Sequence, residues 1–133
     1  MAHAIVNPEG LHDPVPFGYS HTAAVPAGAE LVLVAGQYGS GPDGAVVSPD
    51  FAEQVKRTFH NIGVALAAHG LDLGHVVRLR TYVVDHDVTR LGPIAGAIHE
   101  NWGTKPPTQT LVGVASLATP DVLFEVEALA VRP

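Results

Sequence analysis

The 133-residue chain contains no cysteine. That excludes a disulfide framework, thiolate catalysis and any metal centre built on sulfur. Charge is scarce too: 15% of residues are charged, with seven Lys and Arg against thirteen Asp and Glu, a formal net charge of −6. Phosphate backbones repel such a chain, and no run of Lys or Arg offsets the deficit, so nucleic acid is not an expected partner. No apolar run approaches the ~20 residues that span a bilayer, so neither is a membrane. Met1–Pro16 has neither the basic nor the apolar segment of a secretory leader, and the expected compartment is the cytoplasm. Walker loops, G-x-S-x-G elbows and G-x-G-x-x-G fingerprints are missing. The glycine-rich stretch from Gly36 to Gly41 leads into a turn cluster, not a helix.

What remains is 47% hydrophobic. A chain of this size forms about one ordinary domain, so residues 1–133 read as a single unit. The low charged share implies that part of its apolar surface is covered by a partner. Residues 1–16 read as an irregular lead-in and Gly18–Ala24 as a strand. Glu30–Ala35 (ELVLVA) reads as a buried strand. A helix follows, with Ser48 as N-cap and Pro49 in first position; Phe51, Val55, Phe59, Ile62 and Leu66 form its apolar stripe and Gly70 its stop. Val76–Val84 alternates as a strand, with Arg78, Arg80 and Tyr82 on one face. Leu91, Ile94, Ile98 and Trp102 mark a second helix within 88–102, its regular part starting near Pro93. Strands at Thr108–Val114 and Val122–Val131 complete the pattern, the last placing Glu125 and Glu127 on one face. The fold class is therefore α+β, a mixed sheet with two helices on one face. The other face is left for something else to cover, and another subunit is the simplest candidate.

Several segments carry a resemblance: LVLVAGQ (31–37), QVKRTFHNIGVALAAHG (54–70), PPTQTLVGVASLA (106–118) and FEVEALAVR (124–132). On these the chain resembles the RidA/YjgF reactive-intermediate deaminases over nearly its whole length. The resemblance implies a chorismate-mutase-like fold and a homotrimer with small-molecule clefts between subunits. It also implies cofactor-free hydrolysis of enamines and imines to a carbonyl compound and ammonia. Glu125 matches the family's water-holding glutamate and Tyr19 its cleft tyrosine, the two expected catalytic groups. Gly36 matches a glycine whose backbone lies close to the ligand. Gln109 stands where deaminating members have the arginine that anchors the substrate carboxylate. Leu111 replaces a frequent cysteine, and Gly92-Pro93 replaces a cleft asparagine.

A neutral amide holds an anion less well than a guanidinium does: a hydrogen bond contributes about 1 kcal/mol when neutral and about 1.5–3 when charged. Altered specificity is expected, for a substrate lacking a carboxylate at the usual place or for a bulkier one. Lys105 is no ready substitute, lying roughly 13 Å from Gln109 along an extended strand. The alternative is a non-catalytic trimeric ligand-binding or regulatory protein. Glu127 reads as structural, a partner for Arg78 or Arg80. Of the eight histidines, none shows the close pairing of a zinc site, so no metal is expected. Most, His12 among them, read as surface residues. His21, two residues past Tyr19 on the same strand face, is the one placed to enter the cleft as an acid–base group.

Overall fold

The computed structural model describes residues 3–133. Met1 and Ala2, part of the expected lead-in, lie outside the described residues. Four strands form the main sheet: β3 (Glu30–Tyr38), β4 (Val76–Val84), β5 (Thr108–Val114) and β6 (Phe124–Arg132). Their spatial order is β3-β6-β4-β5, with β4 and β5 parallel and the other two pairs antiparallel. The parallel pair needs a crossover, and helix α2 (Leu91–Trp102) supplies it. Helix α1 (Phe51–Ala67) packs beside α2 on the same face.

The lead-in is not wholly irregular. Ala4–Val6 forms β1, antiparallel to β2 (Thr22–Ala24). The expected strand at 18–24 is thereby shortened, because Gly18 takes a left-handed conformation and ends a 3-10 turn over Val15–Phe17. A single parallel bridge from Ser20 to Thr108 sets this ribbon against β5.

Helix α1 begins two residues later than the Ser48–Pro49 signal implies. Asp50 is the N-cap: its carboxylate accepts from Glu53 N–H at 3.0 Å, and the Ser48 hydroxyl accepts from Asp50 N–H at 3.0 Å. A carboxylate at a helix N-terminus meets the positive end of the helix dipole, which favours Asp50 over Ser48. The helix closes at Gly70, with Gly70 N–H on Ala67 O and Leu71 N–H on Leu66 O, the paired bonds of a Schellman motif. Helix α2 starts at Leu91, ahead of the expected break. Pro93 occupies its third position, where no intrahelical partner for an N–H exists.

The core lies between the helices and one sheet face. Val55, Phe59, Ile62 and Leu66 of α1 and Ile94 and Ile98 of α2 meet Leu79, Val83, Phe124, Val126 and Ala130, all buried. Phe59 stacks edge-on against Trp102 and Phe124. Gln54, also fully buried, stitches α1 to the approach of β6. Its amide donates to Ser48 O and Asp121 O and accepts from Leu123 N–H, each at 3.0 Å. The sheet's opposite face has no helix. Leu31, Leu33 and Val112 stand 54%, 77% and 44% exposed there, beside Arg78, Arg80, Tyr82, Glu125 and Glu127.

Gln54→Leu keeps the volume and strands three part-buried backbone groups. With about 1–3 kcal/mol at stake for each group left unpaired, a stability loss on the order of 3 kcal/mol is expected in urea unfolding. An unchanged midpoint would contradict the stitching role.

Candidate functional site

The candidate residues fall into two groups. The first lies on the helix-free face. Glu125 of β6 pairs with Tyr38 of β3 on one side and Tyr82 of β4 on the other. The β3–β6 register slips between Val34 and Gln37, and this irregularity sets Gly36 beneath the Glu125 side chain. A Cβ on Gly36 would stand 2.8 Å from Glu125 Oε2 and 2.9 Å from its carboxyl carbon. Any larger residue at this position would push the carboxylate out of its present place.

Partial burial pushes the Glu125 carboxyl above the ordinary glutamate range, and the charge of Glu127 pushes it further. Glu127 does not pair with Arg78 or Arg80 as expected. It accepts a hydrogen bond from the Tyr82 hydroxyl at 2.6 Å, a short charge-assisted bond worth more than an ion pair with the exposed Arg78 or Arg80. That bond, ahead of desolvation, raises the Tyr82 pKa in turn.

The second group lies at the β5 edge. Gly18, at φ 85°, packs so closely on α2 that a Cβ would stand 3.2 Å from Ala95 Cα. Gln109 holds this turn: its Nε2 donates to Gly18 O at 3.0 Å, and its Oε1 accepts from Thr81 Oγ1 at 2.6 Å. One amide hydrogen is left over. Tyr19 follows the turn, half-buried, its hydroxyl 2.5 Å from His12 Nε2. Leu111 shares the Gln109 face and packs against the core.

His21 is placed differently from expectation. Tyr19 and His21 both lie outside β2, so the two do not share a strand face. The His21 ring stands edge-on to Tyr19 at 5.4 Å and to His12 at 4.9 Å. Its Nε2 is bonded to the His12 carbonyl oxygen at 2.8 Å. Because a carbonyl only accepts, that nitrogen carries its hydrogen and serves as a brace. His12 is the group that sequence reasoning passed over. It lies seven residues before Tyr19 with no periodic relation to it, and Pro14 and Pro16 of the intervening turn fold it back. Among the described residues, no group of three or more His, Asp or Glu side chains converges as a metal site would require.

The two groups do not meet within one chain. Gln109 pairs with Leu79, which points fully buried toward the helices, whereas Glu125 pairs with the outward Tyr82. They occupy opposite faces of the sheet, and β3 and β5 are its opposite edges.

A sequence profile of the endoribonuclease L-PSP family matches residues 13–132. The chain is 33% identical over 121 residues to a RutC family protein of Pyrococcus abyssi, covering 90% of this chain and 91% of that one. It is 29% identical over 103 residues to the 2-iminobutanoate/2-iminopropanoate deaminase of Salmonella typhimurium, covering 77% of this chain and 80% of that one. Among solved structures, a Rid-family protein of unknown function from Yersinia pestis, YyfB, superposes with a TM-score of 0.93 at 34% identity, covering 99% of this chain and 100% of that one. The chain belongs to the endoribonuclease L-PSP family, the RidA/YjgF (Rid, RutC) proteins, and has their α+β fold.

Since the folded-state pKa of Glu125 is raised, the unfolded chain ionises first. The contribution of this group to stability is present below the ordinary glutamate pKa and is lost as pH rises through the higher folded value. Glu125→Gln is expected to flatten the melting temperature across that window, measured against wild type. An unchanged slope would place the carboxylate in an ordinary aqueous setting.

Proposed function

We propose that the protein is a cofactor-free enamine/imine hydrolase of the RidA type, working in clefts between copies of a homotrimer. The carrying observation is the Glu125 carboxylate, seated over Gly36 with its pKa raised, on a sheet face that no helix covers. A carboxylate with raised pKa suits proton transfer near neutral pH. Water adds to the imine carbon, giving its proton to Glu125, while the imine nitrogen takes one from an acid. The resulting carbinolamine loses its hydroxyl proton, the carbon–nitrogen bond breaks, and ammonia leaves with one further proton. Tyr19 is the acid in this reading.

The division of the site supports the cleft. Joining the β3 edge of one copy to the β5 edge of the next brings Glu125 and Gly36 up to Tyr19 and Gln109. A head-to-tail contact of that kind closes into a ring when its rotation is a whole fraction of a turn, one third for a trimer. The exposed Leu31, Leu33 and Val112 then acquire a cover. Imine deamination by the Salmonella relative, 29% identical, supports the reaction class.

Gln109 alters the specificity. It brings no charge to a substrate carboxylate, and its amide is engaged by Gly18 and Thr81. The favoured substrates are imines without a carboxylate at that place. Gln109→Arg is expected to raise kcat/KM on 2-iminopropanoate about tenfold, the worth of replacing a neutral by a charged hydrogen bond. The substrate is generated in situ by an amino-acid oxidase and its loss followed with semicarbazide. Wild-type activity already equal to the variant's would sink the altered specificity.

The engaged amide also favours a second reading, a ligand-binding module without turnover. Tyr19→Phe and Glu125→Gln separate the two: each is expected to lower hydrolysis of at least one imine about a hundredfold. If neither variant changes any rate, while metabolites still raise the melting temperature, the binding reading stands.

A further inference from the structure

Tyr19 as an acid needs its proton restored at every turnover, and an adjacent imidazolium is a much stronger acid than water for returning a proton to the phenolate. The structure supplies a neighbour. His12 Nε2 lies 2.5 Å from the Tyr19 oxygen, the only hydrogen-bond partner that the phenol has among the described residues. His12 belongs to an exposed segment, and its ring has three aromatic neighbours set edge-on: Phe17 at 6.1 Å, Tyr19 at 6.1 Å and His21 at 4.9 Å. Its backbone is held as well, since His21 Nε2–H donates to the His12 carbonyl at 2.8 Å. Asn7 in turn fixes His21, accepting its backbone N–H at 2.7 Å. The neighbouring Asp13 carboxylate is turned away onto Val15 N–H. The titratable groups facing His12 are therefore Tyr19 and His21, and His21 is occupied as the brace.

We infer that His12 is a positioning and proton-relay residue for Tyr19. It holds the phenol hydroxyl toward the cleft and reloads it from solvent. This deepens the hydrolase reading and rests on it. Each proton the nitrogen takes comes from the Tyr19 hydroxyl. The phenolate is reprotonated by the His12 imidazolium, which solvent recharges because the segment is exposed. The protons leaving oxygen pass to Glu125 and then to water, so the balance closes without any other reactant. An acid–base pair of this kind suits a small, uncharged imine, whose nitrogen must be protonated by the protein because the substrate carries no acid of its own.

The test compares wild type with His12→Ala, His12→Gln, Tyr19→Phe and the His12→Ala/Tyr19→Phe double variant. kcat and KM are measured across pH 5–9 on imines generated in situ, with and without added imidazole, and each variant's melting temperature is recorded. His12→Ala is expected to lower kcat at least about tenfold with KM little changed, and to abolish one limb of the pH profile. Imidazole is expected to restore part of the rate in His12→Ala alone, and the double variant to be no slower than Tyr19→Phe. His12→Gln, which keeps a hydrogen-bonding group but cannot carry the proton, is expected to lose the same limb. If Tyr19→Phe is slow while His12→Ala keeps its rate and pH profile, the relay is wrong and the hydrolase reading survives. If Tyr19→Phe is silent, the relay falls with the acid role of Tyr19; if Glu125→Gln is silent as well, or no imine is turned over, the hydrolase reading falls too.

Discussion

A sheet that fills only one face with helices has to present the other to water or to protein. In this chain that constraint governs the rest. Helices α1 and α2 bury the inward residues of β3, β4 and β6 and partly cover Leu111 of β5, so the strands alternate between core side chains and a second row with no intramolecular cover. That second row is neither a solvated surface nor a dry core. It mixes Leu31 and Leu33 with Arg78, Arg80, Tyr82, Glu125 and Glu127. Partial burial, with the charge of Glu127 beside it, raises the Glu125 pKa, and a glycine admits the Glu125 carboxylate close to the backbone. The proposed chemistry thus draws on the face where the sheet is incomplete.

The same incompleteness divides the site. Gln109 and Tyr19 are built by contacts on the helix side and the β5 edge, through Thr81, Gly18 and α2. Glu125 and Gly36 are built by the β3–β6 slip on the open side. Each half is rigidly braced within the chain, which is what a site assembled from separate subunits requires: rigid halves need only one docking geometry to meet.

The sequence carried the fold through periodicity. The stripe from Phe51 to Leu66, the alternation of Val76–Val84 and the two-faced final strand all lie where they were expected. What escaped was set by local turn geometry. The cap at Asp50, the short β1 and the left-handed Gly18 depend on side-chain and backbone bonds that no spacing rule reveals. Gly36 and Glu125 were legible by resemblance, and their contact is a register slip visible only in three dimensions. Gln109 was legible as a missing charge, but its work as a clamp on Gly18 was not. His21 was expected on a strand face with Tyr19; its Nε2 instead meets the His12 carbonyl, and it is the His12 Nε2 that meets the Tyr19 hydroxyl, a contact that no spacing rule reveals.

The central claim is that one working site draws Tyr19 from one copy and Glu125 from its neighbour. Subunit complementation tests it most directly. Inactive Tyr19→Phe and Glu125→Gln proteins are mixed in equal amounts, dissociated and reassembled. With random mixing in a ring, about a quarter of the clefts receive both intact residues, and about a quarter of wild-type imine hydrolysis is predicted to return. A mixture that reassembles fully and stays as inactive as its components would contradict the account.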